Sequence, residues 1–107
     1  LTAVATAAVR AADDGKEFCE EVRNATGLEI HVIDGEEEAR LSAQGVLLGW
    51  PDGEGLVCDI GGSSMELARI EGNRVWERAT TALGPLRLMS LTGGAKARNN
   101  GDIAKAR

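Results

Sequence analysis

A chain of 107 residues, 43% hydrophobic and 27% charged, has the makeup of one small globular domain and excludes disorder as the default state. Its net charge of −5 is opposite in sign to the basic field that supplies nucleic-acid affinity, so no nucleic-acid partner is expected. No apolar run approaches the ~20 residues that span a bilayer, and no basic start followed by an apolar stretch marks a signal peptide, so the expectation is a cytoplasmic protein with no membrane partner.

The chain opens on Leu1 rather than Met, which reads as an internal position of a longer protein. Aromatic residues are limited to Phe18, Trp50 and Trp76, so the core must be aliphatic. Cys19 and Cys58 show no metal spacing and are expected to be buried free thiols. With His31 alone of its kind, a zinc site or a Ser-His pair is disfavoured, and a structural or exposed role is expected for it.

In chain order, residues 1–6 read as a strand end running into an alanine-rich helix over 7–12. Asp14, with Glu17 three positions later, resembles a capping box for a second helix. Phe18, Val22 and Ala25 form its apolar stripe, and Gly27 supplies a left-handed C-terminal residue. Residues 28–33 alternate as a half-buried strand, with Ile30 and Val32 on one side and Glu29 and His31 on the other. Asp34-Gly35 turns the chain into a helix over 36–48, with Ala39, Ala43, Val46 and Leu47 on one face and acids in its first turn.

Residues 50–55 have the composition of an exposed loop. The apolar run 56–60 predicts a buried strand ending in a tight turn at Gly61-Gly62. Strands over 65–70 and 74–81 follow, joined by a hairpin turn at Gly72-Asn73. Residues 84–91 predict a short helix, and the Gly-, Ala- and Lys/Arg-rich tail from Gly93 is a poorly ordered end or the start of another helix. Helix, strand, helix and then several strands make an α/β fold in which the opening strands of a complete sheet are missing.

The segment Asp59-Ile60-Gly61-Gly62-Ser63-Ser64-Met65-Glu66 is the richest in chemistry. A carboxylate at the end of a buried strand is costly unless it is paired, hydrogen-bonded or bound to metal. Two glycines after it bring backbone N–H groups close to an anion, and two serines add hydroxyl donors. Glu66, early in the returning strand, is placed to share one cation with Asp59. The alternative is a structural β-turn that Asp59 caps.

The second segment is Gly35-Glu36-Glu37-Glu38-Ala39-Arg40. Acids in a first helical turn complement the macrodipole without any further role, and neighbours about 100° apart cannot all face one site. Arg40 and Arg10 read either as phosphate clamps or as solvated arginines.

Together these pieces resemble the exopolyphosphatase / guanosine pentaphosphate phosphohydrolase (Ppx/GppA) family. The matching stretches are residues 5–10, the helix around Glu17-Phe18 leading to Thr26-Gly27, residues 32–41, the segment 59–67 and residues 82–88. An Asp-Ile-Gly-Gly turn alone is shared with sugar kinases and actin-like ATPases; the Gly-x-Glu-Glu-Ala-Arg-Leu segment upstream is more specific.

The resemblance implies part of an actin-like (ribonuclease H-like) α/β domain, a mixed sheet with flanking helices, belonging to an N-terminal catalytic domain. The family's first phosphate loop and later domains would lie outside residues 1–107. It implies hydrolysis of terminal phosphate from inorganic polyphosphate or guanosine pentaphosphate with Mg²⁺, by a homodimer when complete, and inactivity of this piece alone. Glu38 matches the family's water-activating glutamate, and Arg10 an arginine near the transferred phosphate. Gly61, Gly62, Ser63 and Ser64 match a phosphate loop, while Asp59 and Glu66 match acids around the metal. Ser63 stands where the family usually has a third glycine, and Met65 where it commonly has threonine. Those two departures leave a non-catalytic polyphosphate or alarmone sensor as an alternative, beside a sugar or acetate kinase-like nucleotide-binding domain and a purely structural dimerisation module.

Overall fold

The structure, a computed structural model, describes residues 1–92. The expectation for the tail from Gly93 lies outside the described residues. Strand β1 (Ala3–Ala5) leads into helix α1 (Ala7–Ala11), helix α2 (Gly15–Thr26) and strand β2 (Ile30–Val32). Helix α3 (Gly35–Gly49) follows, then strands β3 (Gly55–Ile60), β4 (Met65–Glu71) and β5 (Arg74–Thr81), and helix α4 (Pro85–Thr92). The β1–β2 pair is parallel and the β3–β4–β5 sheet is antiparallel, so both pairing modes expected of a mixed α/β sheet are present.

Helix α3 organises the larger half. Its small residues Ala39 and Ala43 are buried and let the helix lie close on the sheet, where they meet Ala68 and Ile70 of β4. Leu47, Val57 and Val75 pack around that nucleus. The helix start is well capped: Asp34 Oδ1 accepts from the Glu37 amide at 2.8 Å, satisfying one of the free donors of the first turn. The β4–β5 hairpin turns through Gly72 and Asn73, both at positive φ (56° and 59°), the geometry of the primed two-residue turn. The Asn73 side chain also reaches across to the loop before β3, accepting from the Asp52 amide at 2.8 Å.

Several expectations are corrected. The capping box of α2 does not form: Asp14 makes no side-chain cap hydrogen bond, and its backbone (φ −96°, ψ 9°) lies outside the extended conformation typical of an N-cap. Gly27 does close that helix in the left-handed conformation, at φ 75°. Phe18 and Ala25 are exposed, so the α2 stripe is only partly covered. Val46 is likewise exposed on α3.

Strand β3 is not buried: it is the edge of its sheet, and Leu56 and Ile60 point to the face opposite α3. Cys58 is exposed on that strand, while Cys19 is half-buried; both are free thiols. His31 is exposed on β2, as expected.

Candidate functional site

Because the side-chain period of a strand is two, the β3–β4–β5 register decides which acids share a face. Asp59 pairs with Glu66, Glu66 pairs with Thr80, and Val57 pairs with Ala68, so all of these lie on the side covered by α3. The buried carboxylate is therefore not Asp59, as the run 56–60 suggested, but Glu66, which is 2% exposed. It is satisfied by Thr80, whose Oγ1 donates to Glu66 Oε1 at 2.9 Å. Asp59 is exposed and is held by a hydrogen bond from Ser42 Oγ of α3 to Asp59 Oδ2.

Ser42 lies four residues after Glu38 on the same helix, about 6 Å along its axis. Glu38 itself is half-buried and paired: Arg10 Nη1 lies 3.2 Å from Glu38 Oε2. The same nitrogen donates to the Ile33 carbonyl at 2.7 Å. Arg10 on α1 thus ties together the end of β2 and the first turn of α3. Among the described residues, Arg10, Glu38, Asp59 and Glu66 are all brought onto or beside α3.

Gly61–Ser64 connects β3 to β4, with the Gly61 amide donating to the Ser64 carbonyl at 3.0 Å. Neither glycine of this turn, nor Ser63, has a positive φ. A serine in place of a third glycine is therefore free of backbone strain here. The turn is braced from behind. The Gly84 amide donates to the Ser63 carbonyl at 3.3 Å and the Leu86 amide to the Gly62 carbonyl at 2.9 Å. Those carbonyls are turned toward α4 and the Gly61 amide is spent on the Ser64 carbonyl, so the N–H groups of Gly62, Ser63 and Ser64 are the ones placed to meet an anion. Met65 begins β4, and its carbonyl accepts from Thr81 Oγ1 at 3.2 Å.

Three participants escaped the sequence reading. Ser42 and Thr80 look like ordinary helix and strand residues, and only the register shows that each holds a carboxylate. Gly84 sits so close to the turn that a Cβ there would lie 2.4 Å from the Gly62 carbonyl oxygen. Arg40, by contrast, is spent within its own helix, donating through Nε to Glu37 at 2.7 Å and through Nη1 to Gln44 at 2.8 Å. That bond holds the Glu37 carboxyl below its ordinary value and raises Arg40.

A resident magnesium ion is testable against the donor set. Among the described residues, no three Asp, Glu, His or Cys side chains gather as a metal cage. Mg²⁺ is often held by only one or two carboxylates plus waters and substrate phosphates, which fits Asp59 and Glu66 as same-face neighbours.

Fold and site together describe an α/β domain in which an acid-bearing helix packs over a sheet that ends in a Gly-Gly-Ser-Ser turn. A sequence model of the Ppx/GppA phosphatase family matches residues 1–97. Exopolyphosphatase 1 of Mycobacterium tuberculosis is 41% identical over 70 residues, covering 64% of this chain and 20% of that protein, and the Mycobacterium bovis protein of the same name matches equally. Among solved structures, an exopolyphosphatase from Cytophaga hutchinsonii is similar with a TM-score of 0.78 and 30% identity, over 83% of this chain and 29% of that one. The Aquifex aeolicus PPX-GPPA enzyme is similar with a TM-score of 0.73 and 31% identity, over 98% and 36%.

The chain belongs to the Ppx/GppA phosphatase family. It spans 20% of the length of the curated relatives it matches.

Proposed function

We propose that the protein carrying this chain removes terminal phosphate from inorganic polyphosphate, guanosine pentaphosphate or both, and that residues 1–107 supply only part of its site. The observation that carries this reading is the Arg10–Glu38 pair at the start of α3, in a chain that matches the family over most of its length. Glu38 is the group that orients the attacking water and takes its proton. Water oxygen attacks the terminal phosphorus, the bridging P–O bond breaks, and the shortened chain leaves as a phosphate oxyanion. Arg10 keeps Glu38 in place and offers its remaining N–H donors to phosphoryl oxygens. Gly61, Gly62, Ser63 and Ser64 cradle the neighbouring phosphate.

Phosphoryl transfer spreads negative charge over the outer oxygens, so positioning and electrostatics supply most of the rate. Asp59 and Glu66 are the residues that would hold Mg²⁺, which when bound neutralises part of that charge. With a net charge of −5 on this chain, the attraction for a polyanion comes from these local groups and the metal, or from the rest of the full-length protein. The complete protein is expected to be a cytoplasmic homodimer, and the piece alone is expected to be inactive.

The test is phosphate release by the full-length protein from polyphosphate and guanosine pentaphosphate in parallel, with and without Mg²⁺. Magnesium-dependent release from either substrate supports the reading, and the ratio of kcat/KM values identifies the preferred one. A non-catalytic sensor is the second reading. It is favoured by the depth of Glu66 and by Met65, which stands where the family commonly has a threonine. Binding of either polyanion without any release would establish it.

A further inference from the structure

Glu66 raises a physical problem that the family reading does not answer. A carboxylate that is 2% exposed must be held by something, since an unpaired buried charge is strongly unfavourable. No arginine or lysine among the described residues pairs with it. Its hydrogen-bond partner is Thr80, directly opposite on β5, at 2.9 Å from Oε1. Thr80 has a second contact. A Cβ placed on Gly35 would fall 2.4 Å from Thr80 Cγ2 and 2.5 Å from Thr80 Cβ, so the start of α3 rests directly on this side chain. Three residues beyond Gly35 on that first turn is Glu38, whose amide donates to the Asp34 carbonyl at 3.0 Å.

We propose that Thr80 is a positioning residue of the site, with its hydroxyl orienting Glu66 and its methyl seating the turn of α3 that carries Glu38. This rests on the reading that Glu66 and Glu38 serve phosphate hydrolysis. The two halves of the side chain have separate tasks. The hydroxyl occupies Oε1 and fixes the rotamer, leaving Oε2 for another partner. The β-branched carbon sets how closely α3 approaches the sheet, and so the spacing between the two glutamates. Hydrogen-bonded partners that orient a metal-binding carboxylate typically change metal affinity or activity by about 10–100-fold when removed.

Substitutions separate the tasks. Thr80→Val keeps the shape and deletes the donor; Thr80→Ser keeps the donor and deletes the methyl. In the full-length protein, Thr80→Val is expected to raise the Mg²⁺ concentration for half-maximal phosphate release about tenfold or more. It should weaken direct Mn²⁺ binding, followed by electron paramagnetic resonance, in the same proportion. KM for polyphosphate at saturating Mg²⁺ should stay within about twofold, because the phosphate-contacting groups are untouched. Thr80→Ser should restore Mn²⁺ binding to near wild type. Should the valine chain fail to fold, Thr80→Ala removes the donor together with the methyl, and a loss of Mn²⁺ binding in Thr80→Ala that Thr80→Ser does not share assigns the loss to the hydroxyl. A folded valine or alanine variant with a lowered Tm but unchanged Mn²⁺ binding would reduce Thr80 to a structural residue and overturn the proposal. If the wild type releases no phosphate, the hydrolase reading falls by itself, and the Mn²⁺ measurement still decides the role of Thr80.

Discussion

Arg10 and Glu38, 28 residues apart in sequence, form an ion pair at 3.2 Å that joins α1 to the first turn of α3. Both side chains are partly covered, 28% and 17% exposed, so the pair is better shielded than a surface salt bridge, though not fully desolvated. The bond from the same guanidinium to the Ile33 carbonyl adds a backbone anchor, which makes Arg10 a fixed strut rather than a loose counter-ion.

Glu38→Gln in the full-length protein is therefore expected to lower kcat by about 10²–10⁴-fold, the range associated with a positioned general base. The amide keeps the size of the side chain and can still accept from Arg10. Binding of polyphosphate, measured by calorimetry, should be largely retained. Wild-type turnover in this variant would remove Glu38 from the mechanism.

Arg10→Ala frees Glu38 and withdraws a cation from the substrate side at once. A rise in KM together with a fall in kcat is expected, and Arg10→Lys should recover only part of the loss because an ammonium cannot reproduce the planar fork. Steady-state kinetics with polyphosphate decide the matter, and unchanged constants would confine Arg10 to the surface.

Asp59→Asn should shift the Mg²⁺ titration of phosphate release to higher concentration, since a neutral amide is a weaker ligand for a hard cation than a carboxylate. An unaltered titration would exclude Asp59 as a ligand.

Gly84→Ala puts a methyl against backbone at 2.4 Å from both the Gly62 oxygen and the Ser63 carbonyl carbon. Backbone cannot move aside as a side chain can, so a loss of about 1–3 kcal/mol is expected, seen as a lower Tm. The shift of the Gly61–Ser64 turn should also raise KM. A variant as stable and as active as wild type would show that α4 does not brace the turn.

The Glu37–Arg40 pair makes a pH prediction of opposite character. Arg40 lowers the Glu37 carboxyl from its ordinary 4.5, so the stabilisation is present above that value and is lost as pH falls through the lower, folded one. Both groups are solvent-facing, so the effect on Tm should be small and should fade with added salt. Carbon-detected NMR titration should find Glu37 below 4.5, and Arg40→Gln should bring it back up.

Local physical chemistry made much of this chain legible before any coordinates. Gly27 at a helix end, Asp34 before three acids, and Gly72-Asn73 between two alternating runs each determine a cap or turn through contacts a few residues apart. The same is true of the family: the segments 32–41 and 59–67 carry it in their residue order, and the match over residues 1–97 agrees. What sequence alone could not decide is which carboxylate is buried. The apolar run 56–60 pointed to Asp59, yet β3 is an edge strand, and the side chain beneath α3 is Glu66. Burial depends on which strand lies in the middle of the sheet and which face the helix covers. The partners of the acids depend on the same facts. Ser42 reaches Asp59, Thr80 reaches Glu66 and Arg10 reaches Glu38 across 17, 14 and 28 residues, and such meetings are set by register and helix docking rather than by any local pattern.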